Sequence, residues 1–334
     1  MTNKNKYKEL CIKEKSIPIF SQYWWMDAVA GEKNWDVILV ENNEEIIGAL
    51  PYYFKERKEY IFIDQPKLTH KNGIWIKYPM NQKYSTRLKY EKKVIREIVC
   101  KLEGLNIGAY NQNFDYSFTN WLPFYWNSFK ATTRYTYVLE NLQDLQQIYV
   151  NFDSRVRQNI KKASKLVQVK EDLDIKRFYD INKKTFERQN IKVPYSLDFV
   201  ERLDNACAEH NCRKIFYAET NSGEICAAHY IVWDENSAYS LMAGENEKFR
   251  NNQADTLLVW DSIKFCENKT KKFDFEGSMI ENVEKFIVNF GATQKPYFNI
   301  SKDYHKRSTV NIILRTIYKN NPKLQKLIKK FRGV

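Results

Sequence analysis

The feature that most narrows the folds open to this 334-residue chain is an internal repeat. Residues Val37 to Leu50, "VILVENNEEIIGAL", give an apolar run, an Asn-rich turn and a second apolar run, the pattern of a β-hairpin. Residues Ile215 to His229, "IFYAETNSGEICAAH", repeat that plan with a turn one residue longer. A helical segment precedes each hairpin, "SQYWWMDAVAG" from Ser21 and "SLDFVERLDNACAEH" from Ser196, with the two serines placed as N-caps. Each hairpin is followed by more strand-like sequence and a long helical stretch, from Ser85 and from Ala254, then by a short strand, "LNIGAYN" from Leu105 and "KKFDFEG" from Lys271. Each half closes on a related signature, "FKATTRYTY" from Phe129 and "FGATQKPYF" from Phe290. This order predicts two tandem copies of one α/β domain with mixed sheets. The expected boundaries are 1–139 for the first copy, 140–304 for the second with additional helix at its start, and 305–334 for a basic helical tail.

Within the added segment, Asp153 or Ser154 can cap a helix whose apolar stripe is Val156, Ile160, Ala163 and Val167. Arg157, Lys161 and Lys165 stand at i, i+4 and i+8 on another face, as either a phosphate-contacting ridge or a solvated one. The formal net charge of +13 favours a polyanionic partner: RNA, a phosphorylated carrier or an anionic membrane surface. Much of that excess lies in "KRSTVNIILRTIYKNNPKLQKLIKKFRGV", which is either a basic amphipathic helix at a membrane or RNA surface or a docking helix with a solvated face. No apolar run reaches the ~20 residues of a membrane span, and no secretory leader follows the Lys-rich start, so a cytoplasmic location is expected. Six cysteines without framework spacing indicate reduced thiols. Cys207, His210 and Cys212 lack the second ligand pair that zinc requires and fit the end of an amphipathic helix. His229, flanked on its face by Ile225, Ala227, Ile231 and Trp233, fits a satisfied core histidine. The aromatic "NWLPFYWNSF" from Asn120 fits core.

The stretch "FDFEGSMIENVEKFIVNFGATQKPYFNISK" sets Asp274 and Glu276 in a run that should be a buried strand. Alternation puts Phe273 and Phe275 on one side and Asp274, Glu276 and, beyond Gly277, Ser278 on the other. Acids at the C-terminal end of an inner α/β strand are expected to open into a crevice, where such sheets bind ligands. A carboxylate there can orient or deprotonate an ammonium group; alternatively Glu276 caps the next helix or pairs with a lysine.

The duplicated hairpin-rich plan resembles the GNAT acyltransferase fold in tandem, as in the Fem family of peptidoglycan aminoacyltransferases and their relatives in envelope-polysaccharide pathways. "SRVRQNIKKASKLVQV" from Ser154 resembles that family's Arg-rich helix entering the second domain, and "NNQADTLLVWDSIKF" from Asn251 its buried core helix. "FDFEGSMIENVEKFIVNFGATQKPYF" resembles its strand, Gly-Ser turn and Phe-Gly ending. Two departures stand out. The glycine-bearing pyrophosphate loop of acetyl-CoA enzymes would fall at Arg250, Gln253 and Asp255 and is absent, as in Fem proteins that use aminoacyl-tRNA. The family's Phe-Lys pair is Phe286-Ile287 here, with Lys285 one position away.

The resemblance implies an N-acyltransferase or aminoacyltransferase that forms an amide on a cell-envelope precursor by direct attack, with no covalent enzyme intermediate. Taken with the residue patterns above, the expected site has Glu276 and Asp274 in catalysis and Arg157, Lys161, Lys165, Ser278, Lys285 and Tyr297 in substrate binding. No tightly bound cofactor or metal is expected; the donor is aminoacyl-tRNA or acyl-CoA. Expected partners are an amine-bearing precursor, tRNA and, through the basic tail, the inner face of the membrane. Two alternatives are an acyl-CoA-dependent N-acetyltransferase with a non-standard loop and a non-catalytic RNA- or precursor-binding module on the duplicated fold.

Overall fold

The first hairpin reverses through Asn43 and Glu44, whose φ angles of 49° and 67° supply the two left-handed residues that a two-residue turn between twisted strands requires. The computed structural model in which this is seen describes residues 1–277 and 279–304; Ser278 and the expected tail 305–334 lie outside the described residues. In the first half, α1 (Asn3–Lys13) and α2 (Tyr23–Ala30) lead into the hairpin of β1 (Trp35–Asn42) and β2 (Glu45–Arg57). There follow β3 (Tyr60–Asp64), β4 (Trp75–Ile76), α3 (Tyr84–Glu103), β5 (Ile107–Asn113), α4 (Leu122–Trp126) and β6 (Lys130–Leu139). Next come α5 (Leu145–Asn151), α6 (Ser154–Leu166), β7 (Gln168–Glu171) and α7 (Ile175–Arg188). The second copy continues with α8 (Leu197–Glu209), β8 (Arg213–Glu219), β9 (Ile225–Trp233), β10 (Ala238–Glu245), α9 (Ala254–Cys266), β11 (Phe273–Asp274), α10 (Glu281–Ile287) and β12 (Thr293–Asp303).

The two halves do not keep separate sheets. One sheet runs β1-β2-β3-β5-β12-β6-β11-β10-β9-β8-β7, with β4 paired to β2 off that path. Each half supplies an antiparallel hairpin, a third strand and a parallel neighbour, β3 beside β5 in the first and β10 beside β11 in the second. The closing strands are exchanged: β12 pairs with β5, and β6 pairs with β11. They also pair antiparallel with each other, and the seventh residues of the two closing signatures, Tyr135 and Pro296, stand directly opposite. That register is what a two-fold relation between the copies demands.

Side-chain alternation sorts the core onto both faces of the sheet. Val37 and Leu39 join Ala228, Tyr230 and Val232 in one cluster with Trp25 and Phe178, which unites residues of both halves. Ile38 and Val40 pack on the opposite face with Ile95 and Ile98 of α3, while Ala227 and Ile231 pack with Leu258 and Ile263 of α9. Asp153 and Ser196 cap α6 and α8 as expected, and Val156, Ile160, Ala163 and Val167 are buried. Ser21 does not cap α2; it ends a 3-10 turn, Ile19–Ser21, so Gln22 takes that place without a side-chain bond. The second hairpin's loop is also longer than expected, running from Thr220 to Glu224 with a carbonyl bond back to the Thr220 amide at 3.0 Å.

His229 is buried between two hydroxyls, its Nδ1 2.9 Å from Ser262 Oγ of α9 and its Nε2 2.8 Å from Ser240 Oγ of β10. The ring is thus a satisfied polar crosslink through the sheet. Cys212 Sγ donates to the Cys207 carbonyl at 3.4 Å, and His210 stacks on Trp24 with ring centres 4.2 Å apart. Burial lowers the His229 pKa from 6.5 to about 4. The native state therefore binds fewer protons than the unfolded chain between those values, and stability falls as the pH drops through that window. The expected loss for this ring is about 3 kcal/mol. Urea unfolding between pH 6.5 and 4 should show a steeper decline for the parent protein than for His229→Gln, which retains bonding capacity without the titration.

Candidate functional site

Where β11 ends, the chain turns through two consecutive left-handed residues, Glu276 (φ 59°) and Gly277 (φ 56°). A Cβ on Gly277 would lie 2.2 Å from the Tyr135 carbonyl oxygen of β6, so only glycine lets the turn press against the exchanged strand. The strand expected to reach Gly277 therefore stops at Asp274, although the Phe275 amide still donates to the Tyr137 carbonyl at 2.9 Å. Phe273 and Phe275 are buried together as alternation predicted, with ring centres 5.1 Å apart. The two carboxylates, however, have different fates.

Asp274 is fully buried and completely engaged. It accepts from Thr136 Oγ1 of β6, from the Glu276 amide at 2.8 Å and from Lys71 Nζ, with which it forms an ion pair. Lys71, itself 3% exposed, also lies 3.3 Å from Asp115 and stands 4.6 Å and 5.7 Å from the ring centres of Tyr116 and Tyr239. Burial alone would push the lysine pKa down, but Asp274 and Asp115 outweigh it and the net shift is upward. The amide-rich end of β5 and its surroundings hold the loop that carries this lysine. Trp25 Nε1 donates to Thr69 Oγ1 at 2.9 Å, Asn113 Nδ2 to the His70 carbonyl at 2.9 Å, and Gln112 Nε2 to Asn72 Oδ1 at 2.9 Å.

Glu276 has no such support. Its Oε1 is buried without a hydrogen-bond partner among the described residues. Burial, reinforced by Asp274 and only partly offset by Lys71, raises its pKa well above the usual carboxylate range. His70 Nε2 is likewise buried and unpartnered. Its ring meets Tyr297 edge-on at 5.3 Å, and burial followed by the charge of Lys71 lowers its pKa to about 4. Tyr297 is buried on β12, with its pKa raised by burial and eased by Arg134 opposite on β6. A carboxyl whose ionisation is opposed by burial and an imidazole whose protonation is opposed by burial thus flank the Lys71–Asp274 ion pair at the seam of the two halves. Such groups can exchange a proton or hold a polar substrate.

Of the residues singled out from sequence, Asp274, Glu276 and Tyr297 come together here, and Ser278 lies outside the described residues. Lys285 does not join them: it is exposed on α10 and paired with Glu281 at 2.6 Å. Arg157 donates to the Val150 carbonyl at 2.6 Å and to that of Phe152, closing the C-terminal end of α5, while Lys161 and Lys165 are exposed on α6. At the start of α9, where a pyrophosphate loop was found absent, Gln253 is left-handed and Asp255 Oδ1 accepts the Thr256 amide at 2.7 Å. Sequence reasoning missed Lys71, His70, Asp115 and Thr136. The usable signal was "YNQN" at Tyr110 to Asn113, a strand too rich in amides for an ordinary core.

Truncating Lys71 strands a buried carboxylate. Lys71→Met should cost about 3–5 kcal/mol in urea unfolding, whereas Lys71→Met combined with Asp274→Asn should recover a large part of that loss. Equal losses for the single and double variants would show that the pair is not coupled.

No curated protein matches the chain in sequence. The family model for the Acetyltransferase (GNAT) domain matches residues 151–281. Among solved structures, FemX superposes with a TM-score of 0.68 at 13% identity, covering 88% of this chain and 95% of that one. The C-terminal domain of a proposed lysylphosphatidylglycerol synthetase from Agrobacterium fabrum gives 0.55 at 8% identity, covering 94% and 97%. A tandem GNAT protein from the clavulanic acid biosynthesis pathway gives 0.50 at 8% identity, covering 90% and 94%. Likeness at such identity is likeness of fold. The protein has the Fem-like tandem GNAT fold, and its second half carries the GNAT acyltransferase domain.

Proposed function

We propose that the chain is an aminoacyl- or acyltransferase that forms an amide on an amine of a cell-envelope precursor by direct attack. The observation that carries this reading is Glu276 at the seam of a GNAT fold, half-buried, with its Oε1 buried and without a partner among the described residues and its pKa raised by burial. An unpaired acid beside Asp274 costs stability and caps nothing among the described residues, which is the pattern of a group kept for chemistry. Its raised pKa moves it toward that of a substrate ammonium, so its ionised form is a competent base. In the reaction the acceptor nitrogen loses a proton to Glu276 and attacks the donor's carbonyl carbon. The bond from that carbon to the carrier then breaks, and the proton passes to the departing carrier atom. Asp274 acts through position: it holds the Glu276 amide and is itself held by Lys71. His70 and Tyr297 line the acceptor side.

The fold likeness to FemX and to a proposed lysylphosphatidylglycerol synthetase supports aminoacyl transfer in envelope building. The start of α9 favours aminoacyl-tRNA over acyl-CoA as donor. Asp255 occupies an amide there with its own carboxylate, and Glu245, bonded to Arg188 at 3.0 Å, adds a second acid nearby; both disfavour a pyrophosphate. Lys161 and Lys165 remain free to meet a phosphate backbone, while Arg157 is engaged with α5.

Glu276→Gln should lower turnover at least tenfold, about 1.4 kcal/mol of transition-state stabilisation, in assays pairing aminoacyl-tRNA or acyl-CoA with amine-bearing envelope precursors. Because the folded-state pKa is raised, ionisation of Glu276 opposes folding above the ordinary carboxylate range. The variant's melting temperature at neutral pH should therefore be equal or higher. For the parent enzyme, kcat/KM should rise with pH as Glu276 ionises. A lower melting temperature with specific activity preserved would assign the residue to structure, and RNA binding with no amide product from either donor would favour the non-catalytic reading.

Reversing Lys161 and Lys165 should weaken tRNA binding and make its salt dependence shallower by about 1.5 in log–log slope, with no change in thermal stability. Unchanged tRNA affinity would leave these lysines as a solvated face.

A further inference from the structure

α3 and α4 carry matched patterns on their solvent sides. On α3, Lys89, Lys92, Lys93 and Arg96 stand at i, i+3, i+4 and i+7, on one flank of a helix whose core side is Ile95, Ile98 and Leu102. On α4, Leu122, Tyr125 and Trp126 stand at i, i+3 and i+4 and remain 41%, 59% and 49% exposed, while Pro123 and Phe124 between them are buried. The two faces adjoin, because the Arg96 guanidinium lies 5.0 Å and Lys92 Nζ 5.7 Å from the centre of the Trp126 ring. None of the four cations has an ion-pair partner among the described residues.

We propose that this face docks the protein on an anionic phospholipid bilayer. Leucine, tyrosine and tryptophan at one end with cations beside them match the layered chemistry of a bilayer surface. The apolar side chains enter at headgroup depth and the cations stay among the phosphates. Each Lys or Arg near such a surface strengthens partitioning by about fivefold, and the four act within one Debye length. A nucleic acid fits less well. Two cations already lie over the Trp126 ring, which is the surface a base would need for stacking, and Leu122 offers nothing to a phosphate backbone. Residues 305–334 carry nine Lys and Arg and no Asp or Glu, so this segment has the same sign as the α3 flank and would be repelled by it. A second copy presenting the same face is repelled for the same reason. An anionic bilayer, by contrast, attracts both the flank and that segment.

This inference stands apart from the amide chemistry, since binding to lipid needs no substrate. The test is co-sedimentation of the full chain with vesicles of phosphatidylcholine alone and with added phosphatidylglycerol. The parent protein should bind the anionic vesicles and not the neutral ones. Lys89→Glu with Lys93→Glu, which spares the cations on Trp126, should reduce that binding at least tenfold with an unchanged melting temperature. Leu122→Ser with Tyr125→Ser should leave weak, fully salt-sensitive binding. Parent-like affinity in both double variants would overturn the proposal and assign any binding to residues 305–334. Absence of binding to anionic vesicles, or loss of tRNA binding alone in the variants, would overturn it as well.

Discussion

The fold depends on one exchange of strands. β6 and β12 each leave the copy that precedes them and complete the sheet of the other, and their mutual ladder from Lys130 to Val138 joins the halves. Separating the copies would expose both edges of that ladder and break the cluster in which Trp25 and Tyr230 share one core. The exchange also explains where a site can form. The parallel pairs β3/β5 and β10/β11 approach the axis from opposite sides, and only the swapped strands fill the space between them. The seam is consequently lined by residues from distant parts of the chain.

At that seam a charge is tolerated because each half supplies what the other lacks. Lys71 comes from a loop of the first copy and Asp274 from the last short strand of the second, 203 residues away. Neither ion would be stable there alone, since a buried charge without a partner costs several kcal/mol. Asp115 beside the same lysine leaves two carboxylates to one ammonium, so Glu276 next to them has its ionisation opposed both by burial and by the charge of Asp274. The seam thus combines a satisfied ion pair that fixes geometry with an acid whose Oε1 has no partner among the described residues. That division of labour between adjacent carboxylates, set by environment and not by residue type, is a recurring way to separate structural from reactive acids.

The architecture was legible because its signals are local. The hairpins at Val37–Leu50 and Ile215–His229 show in alternation and turn residues, and Asp153 and Ser196 show as caps because an N-cap acts within one helical turn. Ser21 misled because it belongs to the buried Ile19–Ser21 turn, which shifts the helix start by one residue. The two acids were legible from the odd placement of charge, whereas Tyr297 is one of 22 tyrosines and nothing local sets it apart. Lys71 was not: nothing distinguishes one lysine among 54 basic residues until its partners, far away in sequence, are in place. The strand exchange was hidden for a related reason. The closing signatures Phe129–Tyr137 and Phe290–Phe298 are so alike that sequence does not say which sheet each one joins.

The duplication has also been turned to unequal ends. Beside the seam, the first copy ends β5 in amides, with Asn299 Nδ2 of β12 bonded to Asn111 Oδ1 and Asn113 Oδ1 at 2.9 Å each. The second ends β11 in acids. Amide pairs satisfy one another without a net charge or a titration, so they hold a position at every pH. Acids hold a position only when a cation is supplied and otherwise stay ready to accept or release a proton. The first copy therefore acts as the rigid partner: its amides pin the loop that delivers Lys71, and the lysine in turn fixes Asp274. The second copy is freed to leave Glu276 unpaired. Two copies of one fold, joined by the exchange of their last strands, thereby achieve what a single copy cannot, a left-handed turn with an unpartnered acid oxygen on one side held in place by a fully bonded amide end on the other.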